Sequence, residues 1–167
     1  ICIIKSFFLE VFFSIDKFFS QAKTFVTIGT FDGVHYGHQQ ILKKLVKEAK
    51  AHEKKSVLLT FFPHPRMVLQ KGARIELINT IDERIVLLEK TGLDYLIIHP
   101  FSVAFSRTSA LEFVRDTLVN KLNTSKLIIG YDHHFGKNRE GSIEQLTEYS
   151  HLYDFTVEEI PAQDIDD

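Results

Sequence analysis

The run Gly29-Thr30-Phe31-Asp32-Gly33-Val34-His35-Tyr36-Gly37-His38 carries the residue types that handle phosphate. Gly33 and Gly37 permit positive φ and close approach of the backbone to a ligand. Ile41, Leu42, Leu45, Val46 and Ala49 recur at helical spacing directly after it. The turn therefore opens a helix, whose free N–H groups and dipole favour an anion, phosphate above all. His35 and His38 add ring N–H donors without a permanent charge to desolvate. The G-x-x-x-x-G-K-[ST] pattern is absent, so this is not a Walker loop. The same two histidines also fit a helix cap plus a surface residue, and H-x-x-H can supply two ligands to a metal.

Two further stretches hold candidate groups. Phe62-Pro63-His64-Pro65 follows an apolar run and reads either as a rigid strand exit or as part of a ligand cleft. Gly130 to Gly141 contains His133, His134, Lys137, Asn138 and Arg139. These suit an ordinary polar turn, or cations placed where phosphates arrive. Phe101, Phe105 and Phe113 read first as core, although the first two sit between a strand and a helix and could pack on an aromatic ligand.

The elements that must position these groups alternate. Strands are expected over 24–28, 56–61, 95–98, 126–129 and 155–160. Pro63 and Pro65 stop the second. Thr80 with Glu83 and Ser109 with Glu112 form capping boxes, and Ser142 with Gln145 opens a further helix. Leu111, Val114, Leu118 and Leu122 fall on one helical face. Strand–helix alternation predicts an α/β fold, a parallel five-stranded sheet with helices on both faces. Ligands of such sheets bind beyond the carboxyl ends of the strands. The segments 29–38, 62–66 and 130–141 gather there.

In 167 residues there is room for one such domain. A net charge of −2 predicts neither a nucleic-acid nor a membrane partner. A single cysteine, Cys2, excludes a disulfide framework and a cysteine-ligated zinc site, making a cytoplasmic setting the expectation. Lys5, Glu10, Asp16 and Lys17 break the Phe-rich start below the roughly 18–20 apolar residues of a membrane span. No small-residue cleavage site follows. With Ile1 first and Met67 the lone methionine, residues 1–13 are set aside as a segment of unassigned relevance. The domain is taken as 14–167.

Three segments together resemble a known family. Thr27-Ile28-Gly29-Thr30-Phe31-Asp32-Gly33-Val34-His35-Tyr36-Gly37-His38 is similar to the HxGH motif of nucleotidyltransferases, in its G-x-F-D-G-V-H-x-G-H form. Thr60-Phe61-Phe62-Pro63-His64-Pro65 resembles a T-F-x-P-H-P stretch, and Gly130-Tyr131-Asp132-His133-His134-Phe135-Gly136-Lys137 a G-x-D/N-x-x-F-G-K loop. In that order they resemble the FMN adenylyltransferase (FAD synthetase) module of the bacterial bifunctional riboflavin kinase/FAD synthetases, over about 14–167. HxGH alone is shared with pantetheine-phosphate and nicotinamide-mononucleotide adenylyltransferases.

The resemblance implies a Rossmann-like nucleotidyltransferase fold and transfer of AMP from ATP to FMN, giving FAD and pyrophosphate. Mg²⁺ would accompany ATP, with no dedicated protein metal site. His35, His38 and Asp132 would be catalytic. Gly29, Thr30, Phe31, Asp32, Gly37, His38, Lys137 and Arg139 would bind ATP, and Phe62, Pro63, His64, Phe101 and Phe105 would bind the flavin. His133 departs from the pattern, because the family has an aromatic residue there. The family's S-S-T-x-I-R-type phosphate clamp and its riboflavin kinase module lie outside these 167 residues. The expectations are a natural protein with a fused kinase and weak AMP transfer by this length of chain.

Overall fold

In the computed structural model, which describes residues 8–131 and 133–161, the apolar runs become six parallel strands: β1 (Glu10–Phe12), β2 (Thr24–Ile28), β3 (Lys55–Phe62), β4 (Tyr95–Pro100), β5 (Thr124–Gly130) and β6 (Thr156–Ile160). Their order is β1-β4-β3-β2-β5-β6. The helices are α1 (Tyr36–Ala51), α2 (Pro65–Leu69), α3 (Ile81–Glu89), α4 (Val103–Ser106), α5 (Ala110–Glu112), which runs on as a π-helical segment Phe113–Lys121, and α6 (Ile143–Tyr153). Both expected capping boxes form.

The central strands bury both faces, as parallel strands between helix layers must. Phe25 and Ile128 join the core under α1 and α3, with Leu42, Leu45 and Leu88. Their neighbours Val26, Ile28, Leu127 and Ile129 join the opposite core, with Val114, Leu118 and Leu146. Lys126 of β5 pairs with Glu48 of α1 and, at 2.8 Å, with Glu158 of β6, which also pairs with Lys44. That chain of charges fastens β6 to the first helix.

Two expectations change. The sheet has six strands rather than five, because Glu10–Phe12, inside the segment set aside, pairs with Tyr95–Ile97 of β4. Leu111 is exposed, while Val114, Leu118 and Leu122 are fully buried. The π-helical turns change the residues-per-turn count after Glu112, so the turn before them points elsewhere. Among the described residues no helix is long and apolar enough to cross a membrane.

β3 and β4 lie to one side of β2, β5 and β6 to the other. The crevice at the carboxyl ends of β2 and β5 is therefore the topological switch point. The turn 29–38 leaves β2 there, and the loop from Gly130 leaves β5.

Candidate active site

Sequence and packing together shape the turn after β2. Gly29 N donates to Leu59 O at 3.1 Å. A Cβ on Gly29 would lie 2.7 Å from the Phe31 ring, so the ring occupies the space a side chain would need. Phe31, Gly33 and Val34 all adopt positive φ (50°, 76° and 43°), which folds the chain back before α1. His35 is the N-cap, its Nδ1 accepting from His38 N at 3.5 Å. The rings of His35 and His38 stack with centroids 3.5 Å apart, and the buried Phe31 ring stacks on His38 at 4.5 Å.

This setting decides the charge of His38. Burial and the neighbouring His35 push its imidazole down from 6.5 to about 4. It is neutral at pH 7, with a buried Nδ1 that has no partner among the described residues. His35 is exposed beside it. The pair forms a hydrogen-bonding face at a helix N-terminus, a setting that receives phosphate oxygens.

A second set of bonds holds the turn from behind. The Thr30 carbonyl accepts from Thr60 Oγ1 at 3.1 Å and from Arg84 NH1 at 2.9 Å. Arg84 NH2 reaches Asp32 Oδ1 at 3.2 Å. The Asp32 carboxylate also accepts from Ile78 N at 2.8 Å and Asn79 N at 3.2 Å. Burial alone would raise the Asp32 carboxyl, yet these N–H groups and Arg84 hold it below its usual value. Asp32 was expected to line the ATP site; its bonds here run to the 78–79 loop and to Arg84. Arg84, 3% exposed, carries no motif signal and was missed by the sequence reading.

The expected flavin-binding residues separate into two groups. Phe101 and Phe105 contact each other edge-on at 5.7 Å. Both contact Phe61, at 5.7 and 5.5 Å, and Phe105 leads on to Phe113. Phe62, one residue on, points to the other face, as alternation in a strand requires. There it lines a cleft of about 520 Å³ with Phe13, Leu77, Asn79, Thr80, Ile81 and Ile98. Phe62 therefore does not share a surface with Phe101 and Phe105. Phe61 does, and strand alternation applied to Phe61 and Phe62 was the available signal. Pro63 is exposed. His64 caps α2, its Nδ1 accepting from Arg66 N at 3.2 Å. Burial and Arg66 lower its pKa, with the charges of Asp32 and Arg84 also reaching it.

The loop after β5 is fastened to the aromatic side. Lys137 N donates to Thr108 O at 2.8 Å, Glu140 Oε1 accepts from Ala110 N at 3.1 Å, and Phe135 bridges Gly141. Gly136 has φ 75°, and a Cβ there would sit 2.9 Å from Ala110 N. The side chains of Lys137 and Arg139 are exposed. Burial, with the charges of His134 and Arg139, pushes His133 down to about 4, and its Nε2 has no partner among the described residues. Asp132, expected to be catalytic, lies outside the described residues.

The chain is similar to known proteins over most of its length. The FAD synthetase family model matches residues 18–167. The chain is 38% identical over 137 residues to the bifunctional riboflavin kinase/FMN adenylyltransferase of Buchnera aphidicola subsp. Schizaphis graminum, covering 82% of this chain and 44% of that one. It is 37% identical over 135 residues to the protein of the same name from Haemophilus influenzae (80% and 44%). It is 34% identical over 138 residues to an FAD synthetase of Listeria monocytogenes serovar 1/2a (82% and 55%). The chain thus spans about half the length of these relatives. Its fold is similar to a crystal structure described as a macrolide-efflux protein from Streptococcus pneumoniae, with a TM-score of 0.79, 26% identity, and coverage of 92% of this chain and 51% of that one.

Proposed function

The chain belongs to the FAD synthetase family, and on that premise we propose that its domain, taken as 14–167, transfers AMP from ATP to FMN, giving FAD and pyrophosphate. The observation that carries the reading is the stacked His35–His38 pair, with His38 uncharged, at the N-terminus of α1 and at the switch point of the sheet.

In this reading an oxygen of the FMN phosphate attacks the α-phosphorus of ATP. A new P–O bond forms, the bond to the bridging oxygen breaks, and its electron pair leaves on pyrophosphate. No protein nucleophile is required. The work of the protein is positioning and donation of hydrogen bonds to oxygens that gain charge. Ring N–H groups of His35 and His38 supply donors, the Gly29–Gly37 turn shapes the nucleotide side, and Lys137, Arg139 and Asp132 complete it. The flavin is assigned to the aromatic shelf of Phe61, Phe101 and Phe105, with the 62–64 segment alongside, where Phe101 N donates to Phe62 O at 3.3 Å. A divalent cation such as Mg²⁺ would be held chiefly by the ATP phosphates and water, supplying charge neutralisation there, and the neutral His38 ring would not repel it. The natural protein is proposed to work in the cytoplasm and to carry a riboflavin kinase module, as the names of the Buchnera and Haemophilus proteins state for themselves.

The test is pyrophosphate release with ATP and a panel of acceptors: FMN, pantetheine phosphate and nicotinamide mononucleotide. FMN should be used, with FAD as product. Release with another acceptor and not with FMN overturns the substrate assignment, and flavin binding without release leaves a binding module.

A further inference from the structure

Arg84 is a buried cation behind the turn, and its bonds leave its own helix. It lies on α3, remote in sequence from the motif, yet its two terminal nitrogens bind Thr30 O and Asp32 Oδ1. Asp32 in turn holds the N–H groups of Ile78 and Asn79. The Ile78 side chain fills the space over Gly33, where a Cβ would meet it at 2.8 Å. Leu77, Asn79 and Thr80 wall the cleft beside Phe62. One guanidinium therefore joins the phosphate turn, the 77–80 loop and the start of α3.

We infer that Arg84 is a positioning residue for adenylyl transfer: through Thr30 O and Asp32 it fixes the turn so that the stacked His35 and His38 rings stand where phosphate arrives. This rests on the adenylyl-transfer reading above. Only 3% exposed, Arg84 cannot reach a phosphate itself while the turn is in place. A planar fork suits the task, since it binds two acceptors in a fixed mutual geometry. Lysine offers a point charge on a flexible stem and cannot fix both.

The alternative is that Arg84 acts by its charge. Three neighbours bear on His38: His35 and Arg84 disfavour its protonation, and Asp32 favours it. Removing Arg84 or Asp32 would then move the His38 titration, and any rate that depends on it, in opposite directions. Removing either half of a positioning pair lowers the rate in both cases.

The experiment compares Arg84→Lys, Arg84→Gln and Asp32→Asn in the full-length protein, with thermal melts run alongside. The expected result is a fall in kcat of at least about tenfold in all three, in line with the sensitivity of transfer reactions to misplacement on the order of 1 Å. The KM for FMN should stay within about twofold, because Phe61, Phe101 and Phe105 pack against one another while the 77–80 loop walls the cleft on the side to which Phe62 points. His35 and His38 ring protons, shifted by their mutual stacking, should move toward free-histidine values in the NMR spectra of folded Arg84→Lys and Asp32→Asn. Wild-type kcat in folded Arg84→Lys overturns the inference, as do opposite changes of kcat in Arg84→Gln and Asp32→Asn. If the wild type itself makes no FAD, the functional reading fails. The ring shifts still decide on Arg84, and unmoved shifts reject it.

Discussion

Replacing His38 by alanine separates chemistry from packing, because the two losses have different sizes. A donor aimed at developing charge is worth about 2.7–4 kcal/mol, or about 10²- to 10³-fold in kcat. The structural loss is smaller. The ring gives up stacking on Phe31 and His35, about 0.5–1.5 kcal/mol for such a pair. Its Nδ1 is buried without a partner among the described residues, so the truncation also removes a desolvated polar atom, an offset of about 1–3 kcal/mol. With two such pairs lost against that offset, the net change in stability should be within about 2 kcal/mol, several degrees in Tm for a domain of this size. The assay is FAD formation at saturating ATP and FMN, set beside a thermal melt. With its pKa near 4, His38 also contributes no acid limb to the rate between pH 8 and about pH 5.5. Normal turnover in the variant refutes the phosphate-holding role. A fall of more than about ten degrees in Tm would instead make His38 a packing residue.

Phe61→Ala should weaken the flavin fluorescence response to FMN more than Phe62→Ala does, since only Phe61 joins the Phe101–Phe105 shelf; the reverse order moves the flavin to the cleft beside Phe62. Gly136→Ala should cost more than Gly33→Ala in urea unfolding, because the new Cβ meets rigid backbone at Ala110 rather than the side chain of Ile78; both also suffer the positive-φ penalty of about 1–2 kcal/mol. His38 and His133 are depressed from 6.5 to about 4, so the unfolded chain takes up these protons before the folded one does. Stability is then full above about pH 6.5 and falls toward pH 4, by up to about 1.4 kcal/mol per pH unit for each histidine. His133→Phe should flatten that slope, and equal slopes from urea unfolding across pH 7.5 to 5 would refute the burial of His133.

Features set by local chemistry were legible. A Thr or Ser three residues before a Glu, ahead of an apolar run, specifies its own capping box. The Gly-rich turn between a strand and a helix announces itself in the same way. Features created by tertiary contact were not. Arg84 follows Thr80 and Glu83 in a first helical turn and reads as one more surface charge; its hydrogen-bond partners Thr30 and Asp32 lie over 50 residues away. Strand β1 is three residues long in a Phe-rich run without alternation, and β4 supplies its register. The side-chain direction of Phe61 was available from strand period, whereas the outward turn of Leu111 depends on a π-helical segment that no local pattern signals.

The three residues of β1 also bear on solubility. They occupy the outer side of β4, whose Leu96 and Ile97 are fully buried. Stripped of Glu10–Phe12, the six-residue β4 would become a longer border with a row of unpaired N–H and C=O groups, a template for pairing with another chain. A short strand beginning with a glutamate is a poor template by comparison. Loss of the first dozen residues should therefore show itself as self-association at high concentration before any loss of the nucleotide turn on the far side of β3.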